Sequence, residues 1–562
     1  MKMNRRTAIA LLAAFGQAAA SKKLYSLAGA DRANPKGRLA TSAERDLAHG
    51  PFEPSWNSLK AHYKTPDWFR DAKFGIWAHW SAQCQPEEGD WYARRMYIQG
   101  DSAYEYHVKT YGHPSKVGFK DIDMIWKAEG WNPEGLMDLY QAAGAKYFMS
   151  LANHHDNFDN WPSRYHSWNS AKIGPMKDIV GTWSAICKRR GIRFGVSNHS
   201  AHAWHWLQTA YGYDAEGPMA GVRYDGFTNS DRLSNGLNPQ DLYVGPSPNL
   251  VIPDGVTSIA EAKAWHDKND RIWDENPPCD DPEFVNTWFL RCRDLLDTYE
   301  PDMIYFDDTE LPLGQAGLDI TAHFYNSNRA RHGGNLEAVV FGKEFVPQHR
   351  GAAALDLERG RSNDILPIPW QTDTCIGDWH YNRHVFENHT YKSAKTVIHM
   401  LADIVSKNGN LCLNIPLKGD GTIDSDERKV LDDLAAWMPT NGEAIFGTRP
   451  FKVYGEGPPD IVSTGNFNEG KGRPYTAEDI RFTTKDGDLY AIALGWPNDG
   501  KLRIKSLARN SKLLPAEIIR AVMLGSSTPL VMERNSEALV LTLPSQKPND
   551  IAYTFRITPN RL

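Results

Sequence analysis

The feature that most constrains this chain is a short apolar run, Met303-Ile304-Tyr305-Phe306, that passes straight into Asp307-Asp308-Thr309-Glu310. With Pro301 before it and carboxylates after it, the run reads as a buried strand that delivers acids at its C-terminal end. Parallel α/β folds carry their chemistry at that end of the strand. An isolated Asp after a strand more often caps a turn. Two adjacent acids with a third at Glu310 favour a site, provided that other strand ends carry matching groups.

Other strand ends do. Lys73 to Ala78 reads as a strand running into His79 and Trp80, then into a polar stretch that contains Asp90 and Trp91. Asn132-Pro133-Glu134 opens a helix as N-cap and first turn, and Gly144 ends it. The strand Lys146 to Ala152 follows and leads into His154-His155-Asp156. A helix over about Asp178 to Arg190 stops at Gly191, and the strand Arg193 to Ser197 ends in Asn198-His199-Ser200, with Trp204 beyond. A helix over about Pro282 to Tyr299 leads into the Asp307 strand. Short runs at Ala338 to Phe341 and around Leu355 precede Glu358-Arg359-Gly360-Arg361, and Trp370-Gln371-Thr372-Asp373 follows. A last helix, over about Tyr391 to Lys407, precedes the strand Asn410 to Asn414. Alternating helices and strands with polar groups always after the strand predict an α/β fold, a TIM-like (β/α) barrel over residues 66–447.

From about Thr448 the pattern changes to short β runs with Asp486-Gly487 as a hairpin signal, which predicts an all-β sandwich over 448–562. It holds no paired acids or histidine cluster, so its expected role is support for the barrel. Residues 208 to about 281, rich in Gly, Asn, Asp and Pro, are too long for an ordinary connection and read as an insertion beside the site. Residues 21–65 read as a linker and N-terminal lead-in without chemistry. Residues 1–20, with Arg5-Arg6 before the apolar run Ala8 to Phe15 and then Ala18-Ala19-Ala20, have the layout of a bacterial export signal, of twin-arginine or Sec type. The expected location is periplasmic or extracellular. The apolar run is too short for a lasting membrane span.

A net charge of -6 without long basic runs argues against nucleic acid and anionic membrane as partners. The six cysteines show no metal-type pair, and their spacing assigns no disulfide. Collected strand ends hold acids at Asp307 and Glu358, histidines at His79, His154, His155 and His199, and aromatics at Trp80, Trp91, Trp161, Tyr305 and Trp379. Two acids among aromatic and polar groups suit glycosidic cleavage, one attacking the anomeric carbon and the other protonating the leaving oxygen. A metal site is the competing reading. Against it, adjacent His154 and His155 on an extended segment should diverge.

The ordered set Lys73-Phe74-Gly75-Ile76-Trp77-Ala78-His79-Trp80, His154-His155-Asp156-Asn157-Phe158, Ile304-Tyr305-Phe306-Asp307, Val405 to Asn414 and Asn441 to Pro450 resembles the retaining α-L-fucosidases, glycoside hydrolase family 29. The resemblance implies an exo-acting hydrolase that releases terminal α-L-fucose from fucosylated glycans by double displacement, with no cofactor and no metal. It places the nucleophile on Asp307, with Tyr305 where the family has Trp, and the acid/base on Glu358. Sugar-binding positions fall on His79, His154 and His155, and the family's Glu-Trp pair on Asp90-Trp91. His199, in a segment where the family usually has tyrosines, marks a variant subsite together with Trp204. These departures keep α-L-galactose or a related sugar open as substrate, and a non-catalytic carbohydrate-binding protein on the same fold is the alternative from another class. Asp308 should point away from Asp307, by the two-residue period of a strand.

Overall fold

The computed structural model describes residues 37–227, 236–247, 250–269, 281–459 and 462–561. The export-signal segment and Cys279 therefore lie outside the described residues. Eight parallel strands form the first sheet: β1 (Phe74–Ala78), β2 (Tyr147–Asn153), β3 (Arg193–Asn198), β4 (Met303–Thr309), β5 (Val339–Lys343), β6 (Ala354–Leu355), β7 (Trp370–Cys375) and β8 (Gly409–Asn414). Their order is β6-β5-β4-β3-β2-β1-β8-β7. The ring closes between β6 and β7 through a parallel bridge of Asp356 with Gln371, extended by Leu357 N–H to Gln371 O at 2.9 Å and Arg359 N–H to Asp373 O at 2.8 Å. That closure makes the sheet a barrel and removes its edges.

Alternate strand residues face inward, so Trp77, Tyr147, Met149, Met303, Tyr305, Val339, Phe341 and Cys412 form one buried interior cluster, with Phe69 and Ala72 against its lower end. Gly75 leaves room for one of these side chains, since a Cβ there would stand 2.1 Å from the Tyr147 ring. Outward residues pack under helices. These are α1 (Pro133–Ala142), α2 (Ile179–Arg190), α3 (Pro282–Tyr299), α4 (Gln315–Arg331), α5 (Ala394–Ser406) and α6 (Ser425–Asn441). Asn132 accepts from Gly135 N–H at 3.1 Å to start α1, and Gly191, at φ 67°, ends α2. On α5, Val397, Leu401, Ile404 and Val405 are buried, each contributing about 1.5–3 kcal/mol of transfer free energy as an upper bound.

The second domain has a five-stranded antiparallel sheet, β13-β16-β11-β10-β9, and a three-stranded one, β12-β15-β14. Its strands are β9 (Arg449–Glu456), β10 (Ile480–Lys485), β11 (Asp488–Ala493), β12 (Lys501–Ile504), β13 (Ile518–Met523), β14 (Val531–Arg534), β15 (Leu539–Thr542) and β16 (Tyr553–Pro559). Asp486 and Gly487 both take positive φ and turn β10 into β11, as the hairpin signal predicts. Residues of both sheets share one apolar core.

Two expectations about connecting segments change. The described part of the lead-in, residues 37–65, is no linker. The Arg45 guanidinium is buried and pairs with Asp319 of α4 at 2.5 Å, Ala40 N–H donates to Asn286 of α3 at 2.9 Å, and Trp56–His62 forms a helix capped by Ser55. Neutralising a buried guanidinium requires its partner, so this segment completes the helical layer. The described part of the 208–281 insertion lies against the helices Ser102–Thr110 and Phe119–Ile125. There Asp225 accepts from Tyr97 at 2.7 Å and Tyr243 at 2.9 Å and pairs with Lys120, while Asp214 accepts from Tyr104 at 2.7 Å. None of its described residues lines the cavity at the barrel mouth. Of the cysteines, Cys84, Cys187, Cys292, Cys375 and Cys412 are buried and unbridged.

Candidate active site

A cavity of about 320 Å³ opens at the C-terminal mouth of the barrel. Inward-facing Tyr305 sits near its floor, and Asp307, two residues further along β4, reaches it on the same face. Phe306 points outward and packs on Trp288, with ring centroids 5.9 Å apart. Asp308 does not follow Phe306. The β4–β5 pairing shifts register between Tyr305 and Thr309, and Asp308 lines the mouth, with its carboxylate 3.7 Å from His202 Nε2. The expected opposite orientation fails because the regular two-residue period stops at that irregularity.

The Lys343 ammonium bridges the two carboxylates, contacting Asp307 Oδ1 at 2.5 Å and also Glu358 Oε2. One shared ammonium holds the nearest oxygens within two hydrogen-bond lengths, at most about 6 Å. That bound is compatible with the roughly 5 to 5.5 Å separation of the carboxyl groups in retaining glycosidases. Burial raises the Asp307 carboxyl, but Lys343 and then hydrogen bonds from His155 and His199 outweigh it and hold Asp307 well below the ordinary carboxylate range. Glu358 goes the other way: burial pushes it up to about 7 against the pull of Lys343, helped by the nearby Asp373 and Asp307 charges. Two carboxyls with proton affinities driven apart are the pattern of a nucleophile and an acid. Behind them, burial also raises Asp356, to about 6, and Asp373, which the Asp356 charge raises further.

Histidines form the cavity floor. His79 packs against His154 and His199, each at 5.0 Å between centroids, and His154 against His155 at 4.3 Å. His154 Nδ1 meets Gln83 Nε2 at 2.8 Å, and His199 Nδ1 meets Asp307 Oδ2 at 3.0 Å. Both ring nitrogens of His79 and Nε2 of His199 are buried without a hydrogen-bond partner among the described residues. Burial lowers the pKa of His79 and His154 well below the usual value and that of His199 to about 4, so these rings are neutral near pH 7. Neutral imidazoles offer both donors and acceptors, which suits sugar hydroxyls. His154 and His155 both face the cavity, contrary to the divergence expected for them. β2 ends at Asn153, so the pair lies in a turn and not on an extended strand. His79, His154 and His199, or His155, His199 and Asp307, stand close enough to hold a cation jointly.

The remaining sequence candidates divide. Trp379 lines the cavity beside Trp77, at 5.6 Å between centroids. Trp91 stands at the rim, 38% exposed, with a left-handed backbone at φ 65°. Asp90 does not line the cavity. Its carboxylate accepts from the Trp379 and His380 N–H groups at 3.2 and 2.7 Å, anchoring the loop that carries Trp379. Trp80 is turned into the helical layer, against Trp126 and Trp131, and donates to Lys418 O at 2.9 Å. Trp161, too, is buried in the helical layer, and Trp204 is not among the lining residues. Glu358 pairs with Lys343 and not with Arg359, whose partner is Glu469.

Sequence reasoning overlooks Lys343, His202, Asp373, Asn466 and Phe467, all at the cavity. Lys343 had a signal, a cation just after the strand run at Ala338 to Phe341. Asn466 and Phe467 had none, because they reach the mouth from the excursion between β9 and β10 of the second domain. That domain therefore does more than support the barrel.

The chain resembles known proteins over most of its length. The α-L-fucosidase family model matches residues 39–443, and that of the α-L-fucosidase C-terminal domain matches 473–558. Rat tissue α-L-fucosidase is 26% identical over 92% of this chain and 96% of its own length, and the human tissue enzyme is 26% identical over 92% and 94%. An α-fucosidase of Thermotoga maritima, solved with a mechanism-based inhibitor, superposes with a TM-score of 0.65 at 25% identity, covering 90% of this chain and all of that one. With the family match spanning most of the barrel and the histidine-floored carboxyl pair at its mouth, the chain belongs to the α-L-fucosidase family of glycoside hydrolases.

Proposed function

We propose that this chain releases terminal α-L-fucose from fucosylated glycans with retention, using Asp307 as nucleophile and Glu358 as acid and then base. The observation that carries the assignment is the single Lys343 ammonium shared by a carboxylate held ionised and a carboxyl whose proton affinity is raised to about 7. Fucose lies on the histidine floor with its anomeric carbon facing Asp307. An Asp307 oxygen forms the bond to that carbon as the glycosidic C–O bond breaks, and the Glu358 proton passes to the departing oxygen. Water then attacks the same carbon, Glu358 takes its proton, and Asp307 leaves as carboxylate. Lys343 opposes charge build-up throughout, pairing with whichever carboxyl is anionic.

The departure at Asp90, which kept other sugars open, bears on loop anchoring and not on a sugar contact. Export through residues 1–20 is part of the same proposal, supported by Arg5-Arg6 before the apolar run Ala8 to Phe15. N-terminal sequencing of the protein from the periplasm or medium tests it.

The decisive experiment is incubation with a chromogenic aryl α-L-fucoside and with a fucosylated disaccharide, following the first-formed anomer by NMR. The expected result is turnover of both with α-L-fucose formed first. Glu358→Ala should lose on the order of 10²- to 10⁴-fold on the disaccharide and far less on an aryl fucoside with an acidic phenol. Fucose binding without turnover across the pH range would leave a carbohydrate-binding protein. Equal loss on both substrates would move the acid role to another residue.

A further inference from the structure

A second and larger cleft, of about 820 Å³, lies between the barrel and the β domain. It shares a wall with the catalytic cavity. Along three segments, neighbouring residues face opposite sides of that wall: Glu358, Trp379 and Phe467 line the cavity, whereas Arg359, Asp378 and Glu469 line the cleft. Glu358 is the residue assigned to protonate the leaving oxygen, so the wall stands on the leaving-group side of the scissile bond.

The cleft is electropositive in a chain whose net charge is -6. Five cations border it, Arg359, Arg361, Lys392, Lys395 and Arg473, against three carboxylates. Each carboxylate is engaged by protein groups, and three of the cations are engaged in turn, Arg359 and Lys392 by Glu469 and Arg473 by Asp479. Glu469 binds Arg359 at 2.8 Å and Lys392 at 3.0 Å, Asp403 binds Arg481 at 2.6 Å and Lys407 at 2.7 Å, and Asp378 accepts from Asn382 at 2.7 Å. α5 runs along the cleft, with Lys395 and Thr396 of its first turn at the border. His399 and Tyr475 add flat rings, 5.7 Å apart between centroids. Burial lowers His399 to about 4, so it adds surface and not charge near pH 7.

We propose that this cleft is a second carbohydrate site, which takes an anionic saccharide carrying carboxylate or sulfate groups on the leaving-group portion of the substrate. The proposal rests on the fucosidase reading for the position of the leaving group. The cations bind the anionic substituents, and Tyr475 and His399 pack on ring faces. The volume falls in the range of roughly 300 to 1,000 Å³ of small-molecule sites and exceeds that of the cavity that holds one sugar ring. The leaving-group portion crosses the rim at the exposed Phe467, so the sugar to be released occupies the cavity and what remains occupies the charged cleft.

The test compares a neutral fucosylated oligosaccharide with its sulfated and its uronate-bearing congeners at low salt, for the unaltered chain, Lys395→Glu and Arg361→Gln. An aryl α-L-fucoside serves as control. The expected result is kcat/KM about tenfold higher for an anionic congener, expressed in KM, as one or two charge-assisted contacts would give. In each variant the preference falls towards parity while aryl fucoside turnover stays unchanged. Whichever congener carries the preference identifies the anionic group. Calorimetry with a sulfated disaccharide lacking fucose tests the cleft apart from catalysis: binding by the unaltered chain, weakened at least several-fold in Lys395→Glu, is expected. Equal kcat/KM for neutral and anionic substrates with no disaccharide binding overturns the proposal, as does a preference that survives in both variants. Failure to hydrolyse the aryl fucoside would count against the fucosidase reading instead, and the calorimetry would still decide the cleft.

Discussion

The backbone N–H of Phe467 donates to the carbonyl oxygen of Glu358 across 2.8 Å, so a segment of the β domain holds the main chain of the proposed acid/base residue in the barrel. The Phe467 ring is 54% exposed at the cavity rim, where the leaving group departs. Phe467→Ala keeps the backbone contact and removes the ring. It should raise KM for a fucosylated disaccharide about two- to tenfold, the worth of one aromatic contact, with kcat little changed. An unchanged KM on several disaccharides would remove Phe467 from the substrate path.

Asp307 and Asp308 both reach the mouth, and the electrostatics separate them. Asp307 is held ionised by Lys343, His155 and His199, whereas burial raises Asp308 to about 6. Asp307→Ala should lower kcat by about 10⁴-fold or more, and azide should restore turnover by attacking from the vacated face. Asp308→Asn should retain activity within about tenfold. An inactive Asp308 variant beside an active Asp307→Ala would show that the register assignment is wrong.

The pH profile of kcat/KM should be a bell. Activity needs Glu358 protonated, so it is lost as pH rises through about 7, and it needs Asp307 ionised, so it is lost only at acid pH, below the usual carboxylate range. Lys343 lowers the pKa of both groups, so Lys343→Met should move both limbs to higher pH, besides reducing kcat. Limbs that stay in place in a folded, active Lys343→Met protein would contradict the shared-ammonium geometry.

Three imidazoles with buried ring nitrogens also make a site that zinc can enter. Because His79, His154 and His199 are the floor proposed to carry the sugar and are already unprotonated near pH 7, zinc should inhibit competitively with substrate, with little change in strength across the neutral range. Exhaustive EDTA treatment should leave turnover unchanged. Activity lost to EDTA and restored by zinc would turn the floor into a metal centre.

What the sequence determined by itself is mostly local. Periodicity, caps and strand-ending polar groups predict the barrel, the β domain and helices such as α3, because these depend on residues within a few turns of one another. Asp307 was legible for the same reason: its place is two residues beyond Tyr305 on a short strand. Glu358 needed the family resemblance, since the strand before it, Ala354–Leu355, is too short to show a period. Where local regularity broke, the reading failed. Asp308 turned into the mouth at a register shift, and His154 and His155 converged because their strand had already ended. Trp80 looked like a binding residue from its place at a strand end and Asp90 from the family resemblance, yet which way an aromatic or a carboxylate turns is set by what packs around it. Only the tertiary structure brought Lys343 between two acids from different strands and carried Phe467 from the other domain to the same rim. Those contacts join positions 15 to more than 100 residues apart, and they exist because a closed barrel gathers its strand ends at one mouth.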